Sequence, residues 1–147
     1  MDALTIGQLG AATGTRIETI RYYEKIGLLP APRRTAGNYR SYTARDLQRL
    51  GFIRRARELG FSIEDVRELL KLAALTETPC QAVDRLVARH LETTERKIEA
   101  LNRLRRELRD TLTSCKGGRI AECRVIQALS PAPPHRDKWV RGASRPR

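Results

Sequence analysis

The chain has 147 residues, 31% charged, 40% hydrophobic and only 5% aromatic, with a formal net charge of +12. No apolar run is long enough to span a bilayer and the N-terminus lacks a basic segment followed by an apolar core, so neither a membrane protein nor an exported one is expected. The three cysteines, an odd number, fit free thiols in the reducing cytoplasm. The basic excess sits at the ends: residues 1–75 carry 13 basic and 8 acidic side chains, and residues 131–147 carry 5 and 1. A polyanion is therefore the expected partner, nucleic acid before a membrane surface. A basic surface with no partner at all gives the same charge.

Residues 5–13 predict a short helix capped by Thr5, with Ile6, Leu9 and Ala12 on its apolar face and Gly14 at its end. Thr15 and Glu18 have the spacing of a capping box for a second helix, which Gly27 stops. Ile17, Ile20 and Tyr23 are expected inward. Two short helices about a glycine-bearing turn make a helix-turn-helix. Candidate DNA contacts on the second helix are Arg16, Thr19, Arg21 and Tyr22, with Tyr23 counted beside them: arginine reads guanine edges or grips phosphate, and tyrosine bonds phosphate.

Pro30 and Pro32 break the helix, and Ala36-Gly37-Asn38 reads as the tip of a tight hairpin. Its flanks hold Arg33, Arg34, Tyr39, Arg40 and Tyr42. A basic hairpin directly after a recognition helix is a wing, which adds Arg34, Tyr39 and Arg40 to the DNA-binding candidates. Thr43 caps a third helix with Leu47, Leu50, Ile53 and Leu59 toward the core, and Gly60 closes it. Ser62, with Asp65 three residues on, starts a fourth whose core side is Val66, Leu69, Leu70 and Leu72.

After Pro79 neither proline nor glycine occurs until beyond Leu112, so one long helix is predicted, a rod of roughly 50 Å at 1.5 Å per residue. One heptad register reads Cys80, Val87, Thr94, Leu101, Leu108, Cys115, and its companion reads Asp84, Leu91, Ile98, Arg105, Leu112. Such a narrow seam is what a two-stranded coiled coil buries, and Thr94 and Arg105 are flaws in it. Cys80 and Cys115 are 35 residues apart, five whole heptads, and share one face. In an antiparallel homodimer with its axis near residue 97 or 98, each Cys80 would lie beside the partner's Cys115. Cys123 follows after a seven-residue loop with two glycines that let the chain turn back. Two readings fit this spacing: three thiols converging at each end of the rod, and cysteines packed as small hydrophobes.

Residues 4–75 resemble the winged-helix domain of the MerR family of bacterial transcription regulators. The resemblance rests on L-T-I-G-Q-L, E-T-I-R-Y-Y-E-K-I-G-L-L-P, R-T-A-G-N-Y-R-S-Y, D-L-Q-R-L-G-F-I-R-R-A-R-E-L-G-F-S-I and V-R-E-L-L, and it extends to about residue 129. It implies a mainly α fold: a winged helix-turn-helix domain (1–75), a long antiparallel coiled-coil dimerisation helix (76–113), a metal loop with a short helix (114–129), and a disordered basic tail (130–147). Cys80, Cys115 and Cys123 fall on the ligand positions of the metal-sensing branch. Copper and silver sensors of the family carry serine at the first position, so Cys80 implies a soft divalent ion: Hg2+, Pb2+, Cd2+ or Zn2+. Three thiolates without oxygen or imidazole partners also favour soft ions. His90 lies roughly 15 Å along the helix from Cys80 and is expected at the seam or surface, and His135 in the tail. Glu122–Leu129 is expected to be helical, with Val125, Ile126 and Leu129 covering the loop.

The resemblance further implies double-stranded operator DNA and RNA polymerase as partners, with activation of metal-resistance genes when metal binds. Two rival expectations are a thiol redox regulator, through a Cys115–Cys123 disulfide, and a constitutive DNA-binding protein. No nucleophile–base constellation or phosphate loop suggests an enzyme.

Overall fold

The computed structural model describes residues 3–115 and 117–130; the expected basic tail and His135 lie outside them. The order is α1 (Ile6–Thr13), α2 (Ile17–Lys25), β1 (Arg33–Arg34), β2 (Arg40–Ser41), α3 (Ala44–Glu58), α4 (Ile63–Ala73), α5 (Gln81–Ser114), a 3-10 turn (Ile120–Glu122) and α6 (Arg124–Leu129). One compact unit extends to Glu92 and a second begins at Thr93.

In the first unit the helix ends follow local chemistry. The Thr5 hydroxyl accepts from the Gln8 amide while the Gln8 side chain accepts from the Thr5 amide, and Thr43 and Asp46 make the same reciprocal box at the start of α3. Ser62 caps α4 by accepting from the Asp65 amide. Gly14 closes α1 in the left-handed conformation at φ 60°. Gly10 is needed for a different reason. A Cβ there would lie 2.7 Å from the Thr15 carbonyl, so only glycine lets α1 approach the turn into α2 this closely.

The Thr15–Glu18 capping box does not form. Arg16 takes the cap position without a side-chain bond, and the Thr15 hydroxyl pairs instead with Thr13 Oγ1 at 3.0 Å. Thr13 itself is buried, donating to the Leu9 carbonyl at 2.8 Å, whereas Ala12 is exposed. The buried face of α1 is thus Leu9, Gly10 and Thr13.

Between α2 and α3 the strands pair antiparallel, Arg33 with Ser41 and Arg34 with Arg40. Asn38 at φ 63° supplies the left-handed residue of the tip, and its amide returns to the Thr35 carbonyl at 2.8 Å. Leu4 adds one bridge, exchanging two 2.9 Å backbone bonds with Tyr42. The core is Leu9, Ile20, Tyr23, Leu28, Leu29, Tyr42, Leu50, Ile53, Ala56, Phe61, Val66 and Leu86. Each fully buried leucine or isoleucine is worth about 1.5–3 kcal/mol of burial. Ala56, not Leu59, completes the α3 stripe; Leu59 is the residue after α3 and stays half exposed.

Leu86 carries the first turns of α5 into this core. His90, one turn on, is neither at a seam nor free at the surface. Its Nε2 lies 2.7 Å from the Leu59 carbonyl and its ring stacks on Phe61 at 4.2 Å between centroids. It thus fastens α5 to the glycine turn between α3 and α4.

In the second unit α5 continues to Ser114. Ile98, Leu101, Leu104, Leu108 and Leu112 are exposed along it. The predicted Glu122–Leu129 helix divides into the 3-10 turn and α6, whose first bond runs from the Gln127 amide to the Cys123 carbonyl at 3.0 Å. Ile126 and Leu129 are exposed at 50% and 77%, so within one chain they do not make the packing expected of them. No helix among the described residues is long and apolar enough to cross a membrane.

Candidate nucleic-acid interface and metal centre

Helix α2 divides its side chains by helical spacing. Ile20 and Tyr23 are buried, while Arg16, Arg21 and Tyr22 are exposed and Thr19 is half-buried. Tyr23, counted with the DNA contacts from sequence, is 8% exposed and belongs to the core. Its ring supports Tyr22 at 5.9 Å between centroids. Thr19 and Arg16 border a shallow depression with Arg54 and Arg57 of α3. Both α3 arginines are committed: Arg54 to the Thr13 carbonyl and Glu58, and Arg57 to the Phe61 carbonyl. Arg54 braces the turn leading into α2, and Arg57 the turn between α3 and α4.

The wing presents Tyr39, 75% exposed, and Arg34, which donates to the Asn38 carbonyl at 2.9 Å. Arg40 is different. Its Nε lies 3.3 Å from Glu24 Oε2, and the Tyr42 hydroxyl donates to Glu24 Oε1. Glu24, near the end of α2, thereby receives two donors from the end of the wing and locks wing and recognition helix in one orientation. Burial first, and the Glu24 carboxylate second, push the Tyr42 hydroxyl well above the ordinary tyrosine range. Arg40, expected from the sequence to meet DNA, is thus held by Glu24. No local pattern marks a pairing between residues 16 and 18 positions apart.

Cys80 belongs to the first unit, Cys115 and Cys123 to the second. Cys115 and Cys123 line one depression of about 270 Å³, with Gly117, Gly118, Arg119 and Glu122 around it. Gly117 and Gly118 both have positive φ, 76° and 119°, which brings the chain back after α5. Cys80 sits just before α5, where its carbonyl accepts from the Asp84 amide at 2.9 Å. Its thiol is exposed and donates to Asp84 Oδ2 at 3.7 Å. Among the described residues of one chain, no three His, Cys, Asp or Glu side chains gather as a metal site. The donors present fit a soft ion in kind: accessible thiols, two of them already in one depression.

The chain is similar to known proteins over most of its length. Residues 4–73 match the family model described as MerR HTH family regulatory protein, and residues 47–111 match one described as MerR, DNA binding. The mercuric resistance operon regulatory protein of Bacillus cereus is 39% identical over 125 residues, 84% of this chain and 95% of that protein. The crystal structure of the transcription regulator PbrR691 from Ralstonia metallidurans CH34, in complex with lead(II), superposes with a TM-score of 0.74 at 38% identity. It covers 86% of this chain and 99% of that one. The dual-function regulator MerR of Bacillus megaterium MB1, in complex with mercury(II), gives a TM-score of 0.65 at 35% identity over 86% and 98% of the two chains. These relatives are regulatory proteins, not enzymes. With a winged helix-turn-helix, a long heptad-patterned helix and relatives matching nearly end to end, the chain belongs to the MerR family of transcription regulators.

Proposed function

We propose that this protein is a metal-responsive regulator of metal-resistance genes, working in the cytoplasm as an antiparallel homodimer on an inverted-repeat promoter operator. The observation that carries the reading is that Cys115 and Cys123 share one depression and that Cys80 is an exposed free thiol at the start of α5. A second chain, paired by the exposed seam of α5, brings Cys80 of one protomer to Cys115 and Cys123 of the other. The ion, when bound, supplies a link between protomers. The lead and mercury complexes of the two structural relatives support a soft divalent ion, with Hg2+, Pb2+, Cd2+ and Zn2+ as the candidates.

On the DNA side, Arg16, Thr19, Arg21 and Tyr22 enter the major groove or grip its phosphates, and Arg34 and Tyr39 meet the backbone beside it. Arg40 acts through Glu24, by orienting the wing. His90 and Leu86 tie the sensing end of α5 to this DNA-binding unit. Metal binding shifts the operator-bound dimer toward the form that RNA polymerase uses, to the extent that it favours that form over the other.

The test is an anaerobic titration of the reduced protein with Hg(II), Pb(II), Cd(II), Zn(II) and Cu(I), read by thiolate-to-metal charge transfer in the ultraviolet. Saturation at about one ion per chain is expected. Cys80→Ser should abolish the band and the transcriptional response while operator affinity holds. A second reading, redox control through a Cys115–Cys123 disulfide, draws on the same shared depression. It would take over if no ion gave a stoichiometric band and oxidant alone changed transcription.

A further inference from the structure

We infer that Asp84 is an oxygen ligand of the metal site and biases it toward ions that accept a mixed sulfur–oxygen shell. The inference rests on the three-thiol reading above. Two independent observations lead to it. The first is geometric: Asp84 Oδ2 lies 3.7 Å from the Cys80 sulfur across one turn of helix. Sulfur and oxygen on one tetrahedral zinc, at about 2.3 and 2.0 Å from it, stand roughly 3.5 Å apart. The two side chains therefore already hold the separation of two ligands on a common ion, and neither needs a new backbone position.

The second observation is the place of Asp84 in the heptad pattern. It occupies the register that continues through Leu91, Ile98, Arg105 and Leu112, the side that the proposed antiparallel partner covers. A carboxylate on a seam that becomes buried is costly unless a cation meets it. Among the described residues, Asp84 makes no ion pair; its carboxylate meets only the Cys80 thiol. The missing cation arrives with the metal, since Cys80 is a ligand. Three thiolates alone serve the softest ions, and adding a hard carboxylate oxygen shifts the preference toward borderline ions. Asp84 should thus strengthen Zn(II), Cd(II) and Pb(II) and contribute little to Hg(II).

The experiment compares wild type with Asp84→Ala and Asp84→Asn, using the full reduced chain. Affinities for Zn(II), Cd(II), Pb(II) and Hg(II) are measured by chelator competition, and the cadmium shell is read by 113Cd NMR. Loss of the carboxylate should weaken Zn(II), Cd(II) and Pb(II) by about 10–100-fold, leave Hg(II) within a few-fold, and move the cadmium signal toward a sulfur-only shell. Apo-protein thermal melts separate this from a general effect of an acidic residue in the first turn of α5. Equal weakening of all four ions, or an unchanged cadmium signal, overturns the inference while leaving the three-thiol reading in place. Absence of stoichiometric binding by wild type overturns both.

Discussion

The contact that orients the wing can be tested by removing Glu24. Its carboxylate receives the Tyr42 hydroxyl and Arg40, and its side chain is 10% exposed against 32% for Arg40. Tyr42 is 1% exposed, so Glu24→Ala strands a buried hydroxyl with no acceptor, which costs about 1–3 kcal/mol. Losing the partly exposed Arg40 pair adds roughly 0.5–1 kcal/mol. The total, roughly 1.5–4 kcal/mol, should lower Tm by roughly 6–30 °C for a unit of this size. Glu24→Gln keeps an acceptor for the hydroxyl and should cost about 1 kcal/mol. The decisive variant is Glu24→Ala combined with Tyr42→Phe. It removes donor and acceptor together and should be more stable than the two single losses predict by about 1 kcal/mol or more. Urea titrations of the four proteins, followed by circular dichroism, measure this coupling. Additivity within about 0.3–0.5 kcal/mol would refute the latch and leave Glu24 as a surface charge.

Two further outcomes follow from named contacts. His90→Ala removes the bond to the Leu59 carbonyl and the ring on Phe61 and should cost about 1–2 kcal/mol in a urea titration; a loss near zero would show that Leu86 alone holds α5. Tyr42 ionises later in the folded protein than in the unfolded chain, so its contribution is complete below about pH 10 and is lost as pH rises through the folded value. Alkaline unfolding should therefore begin above about pH 10, and Tyr42→Phe should remove one step from the 295 nm titration and flatten that part of the stability curve.

Much of the local structure was legible because its causes are local. A threonine or serine with an acceptor or amide three residues on starts α1, α3 and α4. Gly14 ends α1 by adopting a φ that other residues resist. The uninterrupted run after Pro79 becomes the 34-residue α5, and Ile98, Leu101, Leu108 and Leu112 on it fall at the heptad positions while Leu104 does not. Where two local signals competed, sequence could not choose. Thr15 had the spacing of a cap, but its hydroxyl was claimed by Thr13, and Arg16 became the first helical boundary. The thiols were visible as a pattern of fives and sevens, yet Asp84 was read only as a register position.

Periodicity, capping and turn chemistry act within a few residues, and so the chain by itself determined the order of helices, the basic hairpin, the heptad helix and the three cysteines. Tertiary packing decided what depends on neighbours distant in sequence. It put Ala56 and not Leu59 into the buried stripe of α3 and paired His90 with a carbonyl 31 positions away. It also joined Glu24 to Arg40 and Tyr42 across the wing. Those outcomes follow from which groups lose water together, a property of the assembled core that no single stretch of chain contains.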